Sequence, residues 1–129
     1  MRIAGDKRKK GAAGEDAACE FLKKEGYTIL WRNYYTDHGE IDIVAEDDTH
    51  IVFAEVKTRA DDPEMLRRFG RPATAVNIKK REHIIYSARL YLARHPSKKT
   101  PRFDIIEVYE GEGEERRIKH LTGAFIIKK

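Results

Sequence analysis

A single cysteine, Cys19, excludes any internal disulfide from this chain of 129 residues and fits a reducing, cytoplasmic setting. No Cys/His cluster has the spacing of a zinc site. No apolar run approaches the roughly 20 residues that a membrane-spanning helix needs, and no signal-peptide pattern opens the chain, so no membrane partner is expected. The chain has four prolines, no internal repeat and no stretch that reads as an interdomain linker. What it does hold is charge, 37% of its residues, beside 40% hydrophobic ones, a balance that suits a soluble globular domain with one core. The net charge of +4 permits an anionic partner such as nucleic acid without demanding one.

Residues 1–12 are basic and rich in Gly and Ala (Arg2, Lys7, Arg8, Lys9, Lys10) and read as a flexible arm ahead of one domain over 13–129. A helix is expected from Gly14 to Glu25, stopped by Gly26, with Ala18, Phe21 and Leu22 on its inner side. Cys19, beside that stripe, reads as packing. Three strands follow, Tyr27–Tyr35, Glu40–Glu46 and Ile51–Lys57, forming an antiparallel meander. An Arg-rich loop from Arg59 to Pro72 leads to a long helix, Thr74–Arg94, whose apolar stripe is Ile84, Ile85, Ala88, Tyr91 and Leu92. A fourth strand is expected at Arg102–Tyr109, an acidic turn at Gly111–Glu115, a last strand at Arg116–Leu121 and a short apolar end piece at Ala124–Ile127.

Two acids and a lysine interrupt the most apolar part of the chain. Ile41, Ile43, Val44, Ile51, Val52, Phe53, Ala54 and Val56 read as core strands, yet Asp42, Glu55 and Lys57 lie among them. A buried charge is costly unless it is paired or holds a metal. Strand alternation places Glu55 and Lys57 on one face with Ile51 and Phe53, and Asp42 on one face with Glu40 and Val44. A two-residue turn at Asp48 and Thr49 brings Asp42 opposite Glu55, and a slip at both ends brings it opposite Phe53 on the same face. An odd-length loop would split the apolar set Ile41, Ile43, Val52, Ala54 and Val56 between faces, which the hydrophobic pattern opposes.

Two carboxylates converging on one point are hard oxygen ligands suited to Mg²⁺ or Mn²⁺, and an adjacent lysine can orient an attacking water or neutralise charge on a phosphate. That combination suits metal-assisted phosphodiester hydrolysis. The competing reading is an interstrand Lys–Glu pair with a solvated Asp on an exposed face. Glu15 precedes Ala18 by three positions and Leu22 by seven, in line with the buried stripe. It either complements the helix dipole or brings a third carboxylate to the site. Asp104, in an apolar strand, is either a neighbour of the site or paired with an arginine or lysine. His38 precedes Gly39 close to the site, as an exposed turn residue or an additional acid/base. Trp31, Tyr34 and Tyr35 read as core or sheet-face residues.

The order of these features resembles the PD-(D/E)xK nuclease superfamily, and within it the YraN family of bacterial nuclease-like proteins, which are similar to archaeal Holliday junction resolvases. The resemblance is carried by Gly14-Glu15-Asp16-Ala17-Ala18, Trp31-Arg32-Asn33, Gly39-Glu40-Ile41-Asp42-Ile43-Val44, Phe53-Ala54-Glu55-Val56-Lys57-Thr58-Arg59, Arg102-Phe103-Asp104 and His120-Leu121-Thr122-Gly123-Ala124-Phe125. It implies an α/β, restriction-endonuclease-like fold, a central mixed sheet with an antiparallel meander flanked by helices. It further implies that Asp42, Glu55 and the Val56 carbonyl hold Mg²⁺ (or Mn²⁺), that Lys57 positions the water or stabilises the transition state, and that Glu15 completes a catalytic set of Glu15, Asp42, Glu55 and Lys57. The family pattern often has Pro before the first acid. Here Ile41 stands there.

Arg59, Arg67, Arg68, Arg71, Lys79, Lys80 and Arg81 are candidates for salt-dependent contact with nucleic-acid phosphates. Together these readings point to a Mg²⁺-dependent DNA endonuclease, structure-selective and resolvase-like, acting as a monomer or homodimer on DNA that includes branched forms. The alternative is a DNA-binding or repair accessory module with little or no cleavage.

Overall fold

The computed structural model describes residues 2–60, 78–110 and 116–126, with side chains described throughout except at 2–11, 60, 110 and 116. A helix, α1 (Arg2–Lys24), is followed by the strands β1 (Thr28–Thr36), β2 (Gly39–Glu46) and β3 (His50–Ala60), a second helix, α2 (Ile78–Arg94), and the strands β4 (Thr100–Glu110) and β5 (Arg116–Phe125). The strands form one five-stranded sheet in the order β1-β2-β3-β4-β5. β3 and β4 pair in parallel, and the other neighbours are antiparallel. A parallel pair needs a long crossover, and α2 lies on that connection. The expected mixed sheet with its antiparallel meander and flanking helices is therefore observed.

Helix α1 begins at Arg2 rather than Gly14, so most of the stretch read as an arm has helical backbone, as its Ala, Lys and Arg content allows. It ends where Gly26 was expected to stop it. Gly26 takes φ 96°, its N–H donates to Lys23 O at 3.1 Å, and the Tyr27 N–H donates to Leu22 O at 2.9 Å. That double bond is a Schellman cap, which asks for a residue without a Cβ penalty. The expected start of α2 at Thr74 and the turn at Gly111–Glu115 lie outside the described residues. β3 runs on to Ala60, past the expected end at Lys57. The last strand and the apolar end piece are one strand, β5, through Phe125. Its register slips opposite Asp104, between the pairs Phe103↔Phe125 and Ile105↔Leu121.

The sheet separates two apolar layers. On one side Ile84, Ala88 and Tyr91 of α2 pack on Tyr34, Ile41, Val44, Ile51, Phe53, Phe103, Ile105 and Phe125. On the other, Ala18, Cys19 and Leu22 of α1 pack on Ile43, Ala45, Val52, Ala54, Ile106 and Val108. Ile41 and Val44 both face α2 although they are three positions apart, so strict alternation in β2 fails between them. The expected face containing Ile41 with Ile43 is corrected accordingly. The break coincides with Asn33 on the neighbouring strand, the one non-glycine residue with positive φ (53°) among the described residues. It lies in β1 between the pairs Arg32↔Ile43 and Tyr34↔Ile41.

Candidate active site

Three elements meet where the hairpin of β2 and β3 opens. The hairpin turns at Asp47–His50, with the Asp47 N–H donating to His50 O at 3.1 Å. Asp47 Oδ1 accepts the Thr49 and His50 amides at 2.9 and 2.7 Å, so an Asx turn supplies what the Asp-Thr pair alone does not. The register that follows, Glu46↔Ile51 through Ile43↔Ala54, is that of the two-residue turn. One step further it brings Asp42 alongside Glu55. There the ladder gives way to a side chain: the Val56 N–H donates to Asp42 Oδ2 at 2.8 Å. The acid takes up a backbone donor that would otherwise be orphaned, and this fixes its position.

Helix α1 adds Glu15. A Cβ on Gly14 would collide with the Thr58 hydroxyl of β3, so glycine lets the helix lie close enough to deliver the next residue to the opening. Glu15 Oε1 accepts a hydrogen bond from Asn33 Nδ2 at 2.7 Å, and the same nitrogen donates to Glu40 Oε2 at 3.4 Å. Arg32 lies 3.9 Å from Glu15 Oε2 and pairs with Asp16 at 2.7 Å. The result is a cleft of about 460 Å³ lined by Glu15, Glu40, Asp42 and Glu55, with Asn33, Tyr35, Val56, Thr58 and Lys80 among its walls.

The electrostatics are those of an acid-rich, half-enclosed space. Burial, then the nearby Glu55 carboxylate, push the Asp42 carboxyl from 3.8 up to about 8. Burial also raises Glu15, against the pull of Asn33 and Arg32. The Glu55 side chain is 7% exposed, and its Oε1 is met by Lys57 Nζ at 3.5 Å and by Lys80 Nζ of α2 at 3.3 Å. Asp42, Glu55 and the Val56 carbonyl offer the hard oxygen donors that Mg²⁺ or Mn²⁺ prefers. Among the described residues, no three His, Cys, Asp or Glu side chains surround one point closely enough to enclose an ion in this arrangement. The donor chemistry thus fits a cation that keeps several waters, with lysines rather than a third carboxylate drawn to Glu55.

Glu15, Asp42, Glu55 and Val56 are thus brought to one cleft, with Lys57 beside Glu55. Of the candidate phosphate contacts, Lys80 lines this cleft, while Arg59 and Lys79 are exposed. Arg81 lies over the Phe125 ring at 5.7 Å, in a groove between α2 and the end of β5. Arg67, Arg68 and Arg71 lie outside the described residues. Asp104 belongs to a separate cluster: it accepts from Arg102 at 2.8 and 2.9 Å and from the Gly123 N–H at 3.0 Å, and lies 2.6 Å from His120 Nε2. The exposed His38 stacks on His83 and meets Tyr86 edge-on. Tyr34 is core, whereas Trp31 and Tyr35 are exposed, at 42% and 73%.

Glu40 and Asn33 are the members that sequence reasoning left out of the site. Glu40 carried a signal, since it was already grouped with Asp42 on one face. Asn33 carried a weaker one: Asn is among the few residues that tolerate a left-handed backbone, but nothing local says that β1 needs one there.

Similarity to known proteins gives the family. Residues 14–108 match the model of "Uncharacterised protein family UPF0102", a span that includes Glu15, Asp42, Glu55 and Lys57. A UPF0102 protein of Symbiobacterium thermophilum is 44% identical over 119 residues, 92% of this chain and 97% of the relative. UPF0102 proteins of Syntrophomonas wolfei and Clostridioides difficile are 40% and 41% identical, each over 92% of this chain and 98% and 97% of their own lengths. No helix among the described residues is long and apolar enough to cross a membrane. With a family model covering most of its length and relatives aligned almost end to end, this chain belongs to the UPF0102 family.

Proposed function

We propose that this protein is a Mg²⁺- or Mn²⁺-dependent DNA endonuclease with a restriction-endonuclease-like fold, acting on branched or otherwise distorted DNA in the manner of a resolvase. The observation that carries the reading is the Asp42–Glu55 pair: two acids, 9% and 6% exposed, at the opened end of a core hairpin. An acid raised to about 8 beside a second carboxylate is a standing electrostatic cost. A divalent cation would remove it.

Asp42, Glu55 and the Val56 carbonyl would hold the ion, which when bound neutralises phosphate charge and acidifies a coordinated water. Lys57 would orient an attacking water or stabilise charge developing on the phosphate. Glu15, whose proton affinity is raised by burial, is placed to accept the proton as the water oxygen bonds to phosphorus and the P–O bond to the leaving nucleotide breaks. Asn33 donates to Glu15 and Glu40 and so ties the two acids to β1. The absence of a third converging acid among the described residues favours one second reading, a DNA-binding accessory module that cleaves poorly.

The test is a labelled panel of four-way junction, flap, duplex and single strand with Mg²⁺ or Mn²⁺, run for the native chain, Glu55→Ala and Lys57→Ala. Metal-dependent cutting that falls at least about 100-fold in both variants is expected. Binding without cutting supports the accessory reading, and cutting unaffected by either substitution removes the site assignment.

A further inference from the structure

The cleft contains a second lysine that the family resemblance does not assign to the chemistry. Lys57 reaches Glu55 from two residues along the same strand, and Lys80 reaches the same oxygen, Glu55 Oε1, from a different element, the first described turn of α2. Lys80 also lines the cleft beside Glu15, Glu40 and Asp42. Its side chain is 45% exposed, that of Lys57 22%, and that of Glu55 7%. A long, half-solvated ammonium can leave an ion pair at little cost, whereas the carboxylate at the bottom cannot follow it into water.

We propose that Lys80 is the resident counter-ion of the acidic cleft, occupying Glu55 until a divalent cation enters and then turning outward to bind a substrate phosphate. This rests on the nuclease reading for its substrate, though not for its cation competition. Within the cleft, the charges facing Lys80 include Glu55 at contact and Glu15, Glu40 and Asp42 across it, with Lys57 as the competing ammonium on the same oxygen. A monovalent ammonium and a divalent ion competing for one carboxylate oxygen make opposite demands. Removing the ammonium exposes the carboxylate to the metal and also deletes a phosphate contact. A lysine that only packs would shift neither quantity, and one that only binds DNA would leave metal affinity alone.

The inference therefore predicts changes of opposite sign in one variant. Mn²⁺ is titrated into the DNA-free full chain and followed by the resonance of free Mn²⁺, for the native protein, Lys80→Met and Lys80→Arg. In Lys80→Met the half-saturating Mn²⁺ should fall by about two- to fivefold, the range expected for losing a partly exposed ion pair. Its affinity for a junction should weaken, with a slope of log affinity against log salt shallower by about one phosphate contact. Lys80→Arg, which keeps the charge, should keep both native values. Unchanged or weaker Mn²⁺ binding in Lys80→Met overturns the inference, as does native protein that takes up no Mn²⁺. Tighter Mn²⁺ binding in a protein that cuts no DNA leaves the counter-ion role standing and removes the nuclease reading. DNA cutting by native protein, with Mn²⁺ affinity indifferent to residue 80, does the reverse.

Discussion

Two aspartates lie buried in β2 and β4 of the same sheet, on either side of β3, and their surroundings are opposite. Asp104 is fully buried and surrounded by donors: the Arg102 guanidinium, His120 and the Gly123 N–H. Burial alone would raise its carboxyl, but those donors together outweigh it and hold the group below its ordinary value. Asp42 is nearly as buried, accepts one backbone N–H, and otherwise meets the field of Glu55, Glu15 and Glu40, so its carboxyl is pushed up to about 8. A charge with every lone pair answered is a part of the fold. A charge left among its own kind, with a cleft in front of it, is a part built for something else.

The donors around Asp104 also explain the end of the sheet. Arg102 bonds Tyr27 at 2.6 Å, just beyond the end of α1, and His120 meets the Phe21 and Tyr27 rings edge-on. The slipped register of β5 is what brings the Gly123 N–H to the carboxylate. Replacing Asp104 with Ala should therefore give the largest effect on the fold. It takes the carboxylate away from the partly buried Arg102 guanidinium, from His120 and from the Gly123 N–H at once, and should cost about 3–5 kcal/mol in urea unfolding. A loss under about 1 kcal/mol would place Asp104 with the solvated pairs instead.

The two acids should also separate by pH. The Asp42 carboxyl is raised, from 3.8 unfolded to about 8 folded. The native state thus binds this proton more tightly, and the residue's contribution to stability falls as pH rises through that window. Asp104 is lowered, so its contribution is present above 3.8 and lost as pH falls through its lower folded value. Asp42→Asn keeps an oxygen for the Val56 N–H and removes the charge. Metal-free Asp42→Asn should unfold at higher temperature than the native chain near pH 8, with the gap closing toward pH 4. A gap independent of pH would mean that Asp42 is already compensated.

The smallest expected effect sharpens the comparison at Asn33, the donor shared by two cleft acids. Asn33→Gly suits φ 53° and removes only the amide. It should change stability by less than about 1 kcal/mol. Asn33→Ala should lose about 1–2 kcal/mol more, because Ala dislikes a left-handed backbone. Equal losses in the two variants would show that the backbone geometry is not what fixes the residue.

The strand pattern made much of this legible. Alternating apolar residues and the Asp-Asp-Thr-His break gave the meander and the pairing of Asp42 with Glu55, and the Ile84, Ala88 and Tyr91 stripe gave the face of α2. The Gly14-Glu15 pair and Glu-Val-Lys pointed to Glu15, Glu55 and Val56, which line the cleft, and to Lys57 beside Glu55. What escaped was set by long-range packing. The reversal at Asn33 moves Ile41 to the other layer without any change in local propensity. The arrival of Lys80 in the cleft depends on where α2 lies across the sheet, which no spacing within α2 encodes. Asp104 could be read either way until its partners were seen, because Arg102 is near it in sequence and His120 and Gly123 are not.

The central claim is that the Asp42 cleft is a cation site and the Asp104 cluster is not. Calorimetric titration of Mg²⁺ and Mn²⁺ into native protein, Asp42→Asn and Asp104→Asn at one pH tests it directly. The account predicts cation binding in the native chain and in Asp104→Asn, and its loss in Asp42→Asn. Equal binding by all three, or none by the native protein, would contradict it.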